Sequence, residues 1–196
     1  MTFLDENFWS NRYNFGQTGW DIGYPSPPIV QFLDQIEKKE VEILIPGAGN
    51  GYEALYAFKN GFKNVNILDF ASEPLRKFKS KVSDFPDSNI HHEDFFQHNR
   101  NYDLILEQTF FCALEPSLRP KYVEKMIELL KPGGKLVGVL FNRIFDKAGP
   151  PFGGSQEEYQ ALFESKFQEV SFSQCYNSIP ERMGAELFFQ TKKSDV

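Results

Sequence analysis

Apolar and polar positions change period several times along the chain, and each change marks an element. In "PPIVQFLDQIEK", apolar residues fall at Ile29, Val30, Phe32, Leu33 and Ile36, the spacing of a helix packed on one face over Pro27–Lys38. "VEILIPGAGNG" then runs apolar into a glycine-rich turn, and "YEALYAFKNG" returns to helical spacing until Gly61 stops it. "VNILDF" (Val65–Phe70) is a second short strand, followed by a helix from about Glu73 to Val82. "NIHHEDF" and "YDLILEQTF" read as third and fourth strands, and "RPKYVEKMIELLKPGGK" as a helix ending at Pro132-Gly133-Gly134. "KLVGVLF" (Lys135–Phe141) is almost fully apolar, as a central strand covered on both faces must be. A long loop, "NRIFDKAGPPFGGS", leads to a helix at Gln156–Phe167, and "EVSFSQCY" and "GAELFFQTKK" close the chain as alternating strands. Loops of that length are more often functional than idle.

Strands separated by helices imply right-handed crossovers. The expected fold is therefore α/β: a doubly wound, Rossmann-like, seven-stranded and mostly parallel sheet. Its two final strands, joined by a short irregular connection, form an antiparallel pair at one edge. At 196 residues the chain suits a single domain over 1–196. One segment fits neither period. "FWSNRYNFGQTGWDIG" (Phe8–Gly23) has no strand alternation and no helical spacing, yet it holds both tryptophans, Trp9 and Trp20. Large aromatics in irregular structure need a surface to lie against, so residues 1–26 are read as an N-terminal lid.

Composition narrows the function. Hydrophobic residues are 41% and charged residues 24%, as in a globular protein, and 21 phenylalanines predict an aromatic core and pocket. The net charge is −6, and no Lys/Arg run supplies the basic face of a nucleic-acid binder. The densest basic stretch, "RKFKSK", has the spacing of a solvated helix face. No apolar run reaches membrane-spanning length, and "MTFLDENFWS" lacks the form of a signal peptide. Two cysteines, Cys112 and Cys175, give no disulfide framework. The expected setting is the cytoplasm, with a small-molecule partner, no nucleic acid and no membrane. Oligomeric state is not legible.

In an open α/β sheet, ligands bind beyond the carboxyl ends of the strands. "IPGAGNG" sits at such an end, where Gly47, Gly49 and Gly51 permit tight turning and clear space for a ligand. Their G-x-G-x-G spacing is not the G-x-G-x-x-G of dinucleotide sites. Asp69 ends the second strand, where a carboxylate can accept from the two hydroxyls of a ribose or else cap the following helix, a task for which Ser72 is better placed. Asp94 in "EDFF" can accept from an exocyclic amine, and Phe95 offers an apolar edge to a purine. "LEQTFF" directs Glu107, Gln108 and Thr109 toward the same crevice. Together these residues describe a nucleoside site with no pyrophosphate cradle, suited to an adenosine with a compact charged tail.

With those motifs in place, the chain resembles the class I S-adenosylmethionine-dependent methyltransferases. More narrowly it is similar to the thiopurine methyltransferase superfamily, closest to its plant and microbial halide/thiol branch. The resemblance spans most of the chain and rests on "FWSNRYNFGQTGWDIG", "LIPGAGNG", "LDFA", "EDFF", "FFCALEPSLRP", "LLKPGGKL", "GPPF" and "SIPERMGAE". It implies S-adenosylmethionine as cofactor, S-adenosylhomocysteine as product, and an N-terminal segment that folds over the cofactor. Trp9, Tyr13 and Trp20 then join Gly47, Gly49, Gly51, Asp69, Asp94, Phe95 and Glu107 as cofactor contacts; Tyr13 stands where relatives commonly carry a third tryptophan. An aromatic face beside a sulfonium is favourable because ring quadrupoles attract cations. The alternative is that the tryptophans anchor the segment to the core.

The resemblance also implies an acceptor pocket from the lid, "EQTFFCA" and "GPPF", with Trp20, Gln108, Phe110, Phe111, Phe152 and Arg182 as its residues. Plant halide methyltransferases tend to have Asp-Tyr where this chain has Glu107-Gln108, which weakens a halide preference. Methyl transfer from a sulfonium needs alignment and exclusion of water. A soft anion needs no base, so none is assigned; Glu107 and Gln108 are candidates for positioning the acceptor. Acceptors in view are bisulfide, small thiols, thiocyanate, halides, thiopurine-like aromatic thiols and selenium or tellurium species. A cofactor-binding protein without catalysis and, more remotely, a dinucleotide oxidoreductase are the rivals. "HHEDFFQH" offers His91, His92 and His98, but the adjacent pair point to opposite faces of a strand, so no metal site is expected. Cys112 and Cys175 read as small buried hydrophobes.

Overall fold

The computed structural model describes residues 4–195. Strands β1 (Glu42–Pro46), β2 (Asn64–Asp69), β3 (Ile90–His92), β4 (Tyr102–Gln108), β5 (Leu130–Phe141), β6 (Glu169–Gln174) and β7 (Glu186–Lys192) form one sheet in the order β3-β2-β1-β4-β5-β7-β6. β1 pairs in parallel with β2 (Ile43 opposite Val65) and with β4 (Ile43 opposite Leu104). β7 lies antiparallel between β5 and β6, giving the expected antiparallel edge. Strand order reverses between β1 and β4, so the chain leaves their carboxyl ends toward opposite faces and opens a crevice there.

Helices α2 (Pro27–Asp34), α3 (Tyr52–Lys59) and α4 (Ser72–Lys81) cover one face of the sheet, and α5 (Arg119–Leu129) and α6 (Gln156–Glu164) the other. Adjacent strand residues divide between two cores. Ile43, Ile45, Ile67 and Leu104 pack on Leu33, Ala54, Ala57 and Phe78, whereas Leu44, Leu68, Ile105 and Leu136 pack on Tyr122, Met126 and Phe163. Burial on both faces explains why β1 and β5 read as continuous apolar runs rather than alternating ones. Each such side chain contributes roughly 1.5–3 kcal/mol of transfer free energy.

Three expectations need correction. Residues Glu6–Asn14 form a helix, α1, which begins where the Asp5 carboxylate accepts the Phe8 N–H at 2.9 Å. Its periodicity was hidden because Tyr13 is its one buried residue. β5 begins at Leu130, directly after α5, so Pro132-Gly133-Gly134 lies inside the strand. There the pairing shifts from Tyr102 opposite Leu130 to Leu104 opposite Lys135, and the glycines absorb the irregularity. The helix expected over Gln156–Phe167 ends at Glu164.

Candidate active site

The carboxyl ends of β1, β2 and β4 surround a cavity of about 580 Å³. Of the residues singled out in the sequence, Trp9, Tyr13, Trp20, Gly47, Asp69, Asp94, Phe95, Phe110 and Arg182 line it. A smaller recess, about 50 Å³, lies beside the glycine turn and takes in Gly49 and Gln108. The two spaces share Tyr13, Trp20, Gly47 and Thr109.

The glycine turn is shaped by what faces it. Gly47 and Gly49 have φ of 59° and 52°, and a Cβ on Gly47 would lie 2.3 Å from the Phe110 ring. A Cβ on Gly49 would lie 2.5 Å from the Tyr13 hydroxyl. Both backbone sign and close approach therefore require glycine. Gly51 caps α3 and faces Phe78 in the core, touching neither space. Asp69 is buried: its Oδ2 accepts the Gly49 N–H and its Oδ1 the Ala71 N–H, each at 2.9 Å. It thus ties the glycine turn to the start of α4, and Ser72 makes no side-chain cap there. Burial raises the Asp69 carboxyl above its ordinary range, and the two backbone donors pull against that rise. Exposed Asp94 accepts the Phe96 N–H at 2.9 Å and holds Phe95 against Phe110, with ring centroids 5.1 Å apart.

The N-terminal aromatics pack on one another across the opening. Trp20 meets Trp9 and Tyr13 edge to face, at 5.5 and 5.8 Å between centroids. Arg182, from the β6–β7 connection, donates Nη2 to the Trp20 carbonyl at 2.7 Å and lies 5.5 Å from the Phe141 ring centroid. The two ends of the chain thus meet at the cavity through one guanidinium. Burial, with Asp69 second, pushes the Tyr13 phenol well above its ordinary value, so it stays protonated.

The remaining sequence candidates sit elsewhere. Glu107 is fully buried beneath the cavity floor and lines neither space. Its Oε1 accepts the Phe110 and Phe111 N–H groups at 2.8 and 2.9 Å, and its Oε2 the Tyr122 hydroxyl at 2.6 Å. Desolvation pushes its carboxyl up to about 7 despite those three donors. It holds the turn after β4, where Thr109 adopts φ 59°, a strained value for a β-branched residue. Phe111 packs away from the cavity against Tyr122, Tyr159 and Phe163. Phe152 donates its N–H to the Cys112 carbonyl at 2.7 Å, while Pro150 and Pro151 line the cavity in its place. Buried Arg119 fixes this wall, reaching Glu158 and the Gly153 carbonyl (2.8 Å) while lying 4.9 Å from the Phe111 ring centroid.

The sequence reading missed Arg12, Phe141, Arg143 and Lys147 in the cavity and Asp21, Asn50 and Glu53 in the recess. A signal for Glu53 was available: it sits one turn from Ala57 on the apolar face of α3, where a carboxylate is out of pattern. His91 is buried and His92 exposed, as alternation requires. His91, Glu93 and His98 nevertheless converge at the sheet edge, with ligand-type atoms within 4.8 Å of one another, and neither cavity includes them. Cys112 lines the cavity with a thiol that burial keeps protonated, and Cys175 is buried away from it.

The residues present suit an adenosine carrying a compact charged tail. The glycine turn clears a path, Asp69 and Asp94 offer acceptors at strand ends, and a buried Gln108 Oε1 without a partner faces the recess. The fold is that of the S-adenosylmethionine-dependent methyltransferases. It is similar to the Burkholderia thailandensis 1,6-didemethyltoxoflavin-N1-methyltransferase solved with S-adenosylhomocysteine bound, at TM-score 0.76 and 16% identity over 98% of this chain and 88% of that one. It is also similar to an S-adenosylmethionine-dependent methyltransferase of Methanosarcina mazei, at TM-score 0.66 and 16% identity over 87% of this chain and 99% of that one.

The sequence gives the narrower placement. Residues 4–186 match the family model of thiopurine S-methyltransferase, and the chain belongs to that family. It is 32% identical to the probable thiol methyltransferase 2 of Arabidopsis thaliana, over 96% of this chain and 85% of that protein. It is 31% identical to the thiocyanate methyltransferase 1 of Brassica oleracea, over 97% and 86%. Among the described residues no helix is long and apolar enough to cross a membrane.

Proposed function

We propose that this protein, working as a single domain, transfers the methyl group of S-adenosylmethionine to a small, soft sulfur anion, a thiolate, bisulfide or thiocyanate, and releases S-adenosylhomocysteine. The observation that carries the reading is the make-up of the acceptor end of the cavity. Phe110, Phe141, Pro150 and Pro151 give it apolar walls, and the lining brings in the cations of Arg143, Lys147 and Arg182 against the carboxylates of Glu115 and Glu181. The one carboxylate under its floor, Glu107, is fully buried and committed to three protein donors. Such a site attracts an anion and strips its water without removing a proton from it. The relatives' names, thiol and thiocyanate methyltransferase, agree with that chemistry.

The bound cofactor supplies an electrophilic methyl carbon on a sulfonium. Asp69 accepts from the ribose hydroxyls, and Asp94 and Phe95 take the adenine. The glycine turn admits the amino-acid tail. The aromatic faces of Trp9 and Trp20 close over the cationic centre. The described part of the N-terminal segment, residues 4–26, acts as a lid held by Arg182 through the Trp20 carbonyl, and residues 1–3 lie outside the described residues. Alignment and dehydration of the acceptor supply the rate, through Phe110 and the proline wall rather than through an acid or base.

The test is methyl transfer from methyl-labelled S-adenosylmethionine to bisulfide, thiocyanate, iodide, an aromatic thiol and selenite. Turnover is expected with bisulfide, thiocyanate and thiols, with iodide slower. Binding of the cofactor without turnover on any of them would favour a non-catalytic binder.

A further inference from the structure

His91, Glu93 and His98 meet at the β3 edge of the sheet, outside both spaces of the active site, and methyl transfer uses none of them. Alternation separates His91 from His92, but it returns Glu93 to the His91 side. The short 3₁₀ turn Phe95–Gln97 then brings His98 back to the same place. The ligand-type atoms of the three residues lie within 4.8 Å of one another. Both imidazoles are buried, with ring centroids 4.9 Å apart, whereas the Glu93 side chain is 40% exposed. Each ring is held through its Nε2. Asn66, buried in β2, donates its amide nitrogen to the Ile43 and Asn64 carbonyls, each at 3.3 Å, so its Oδ1 accepts the His91 Nε2–H at 3.0 Å. Burial, with His98 and Arg100 behind it, lowers the His91 imidazole to about 4, so the neutral ring carries its lone pair on Nδ1. That nitrogen makes no hydrogen bond among the described residues. For His98, Nε2 lies 2.7 Å from the buried Tyr102 hydroxyl and Nδ1 2.7 Å from Glu93 Oε1.

We propose that His91, Glu93 and His98 bind a divalent transition-metal ion of the zinc type, through Nδ1 of each ring and one carboxylate oxygen. Two nitrogen donors select zinc and its neighbours over magnesium or calcium, which take oxygen ligands. The surroundings of the rings point the same way. A histidine that binds metal donates its other ring N–H to a fixed acceptor, which sets the orientation of the ring. Asn66 Oδ1 already does this for His91, and the Tyr102 oxygen is in place to do it for His98 once Nδ1 coordinates. A plain Glu93–His98 ion pair accounts for one ring only. It leaves His91 oriented by a buried asparagine with its other nitrogen bare. Zinc bonds of about 2.0–2.2 Å put tetrahedral ligands roughly 3.4 Å apart, so the three groups must draw in by about an ångström. Glu93, the most exposed of them, is free to make that movement. Three protein ligands leave a fourth position to water at the sheet edge. The ion would tie the end of β3 to the turn that carries Asp94 and Phe95 into the large cavity.

The experiment titrates Zn²⁺ into the metal-stripped full chain by calorimetry and follows its three histidine rings by NMR. One ion per chain should bind with a Kd of about 10 µM or tighter. Binding should move the ring signals of His91 and His98 and leave those of His92, on the opposite face, unchanged. Mg²⁺ at the same concentration should move none of them. Glu93→Gln should weaken zinc by roughly tenfold or more, and His91→Phe by roughly a hundredfold. Glu93→Gln keeps an acceptor for His98, so it tests the site even where His91→Phe folds poorly. A Kd weaker than about 10 µM would overturn the assignment. So would ring shifts confined to His92, shifts of the same rings by Mg²⁺, or an affinity that a folded Glu93→Gln leaves unchanged.

Discussion

Two buried carboxylates stand at the edges of this site and are built in opposite ways. Under the floor of the large cavity, Glu107 meets three protein donors and faces no open space. Beside the glycine turn, Glu53 meets one backbone donor and faces a recess. Both are raised by desolvation, yet only the first is satisfied by the fold. The contrast shows how to separate a structural acid from a binding one. A satisfied buried charge holds a wall in place, and an unsatisfied one is completed by a ligand.

The largest effect should come from breaking the satisfied one. Glu107→Ala leaves the Phe110 and Phe111 N–H groups and the Tyr122 hydroxyl unpaired, and should lower stability by about 3 kcal/mol or more in urea denaturation. Glu107→Gln sharpens the same point through pH. The folded carboxyl is raised from 4.5 to about 7, so between those values the folded state binds more protons than the unfolded one. Wild-type stability should therefore fall as pH rises through that window, by up to about 1.4 kcal/mol per pH unit from this group, and level off above it. The glutamine variant should lack that slope in parallel denaturation series.

Next in size are changes on the ligand side. Asp69→Ala should weaken S-adenosylhomocysteine by roughly thirtyfold in direct titration, through loss of the ribose contact and of the bond that sets Gly49. Arg182→Met should raise KM for an anionic acceptor about tenfold, an effect that shrinks as salt screens the charge in the wild-type enzyme. Cys112→Ala should be the mildest, with kcat for thiocyanate within about twofold, because the protonated thiol performs no step. A large loss there would mean that the thiol itself takes part in the reaction.

The fold was legible because its signals are local. Continuous apolar runs in β1 and β5, glycine at the strand-to-helix turn and helical spacing in α3 to α6 each follow from burial on a known period. α1 was hidden because a helix with one buried residue leaves no stripe. The KPGG segment misled because glycine marks a helix end and a strand irregularity equally well. Within the site, Asp69 and Asp94 reach the cavity because the backbone fixes where a strand end emerges, whereas Gln108, Phe111 and Phe152 do not line it. After the strand ends, the turn at Thr109 decides which side chain enters the cavity, and residue order says nothing of that. Arg143 and Lys147 were missed because they lie on a loop whose path depends on Arg119 and on the Phe152–Cys112 bond.

The most direct test of base-free transfer is the pH dependence of kcat/KM with thiocyanate, an anion with no proton to lose in the working range. Its rate should stay flat from about pH 6 to 9 wherever the protein remains folded, while a neutral thiol rises with its own thiolate fraction. A thiocyanate rate that climbs or falls through a protein pKa in that range, abolished by Glu107→Gln with cofactor affinity intact, would contradict the account and make Glu107 an acid or base in the reaction.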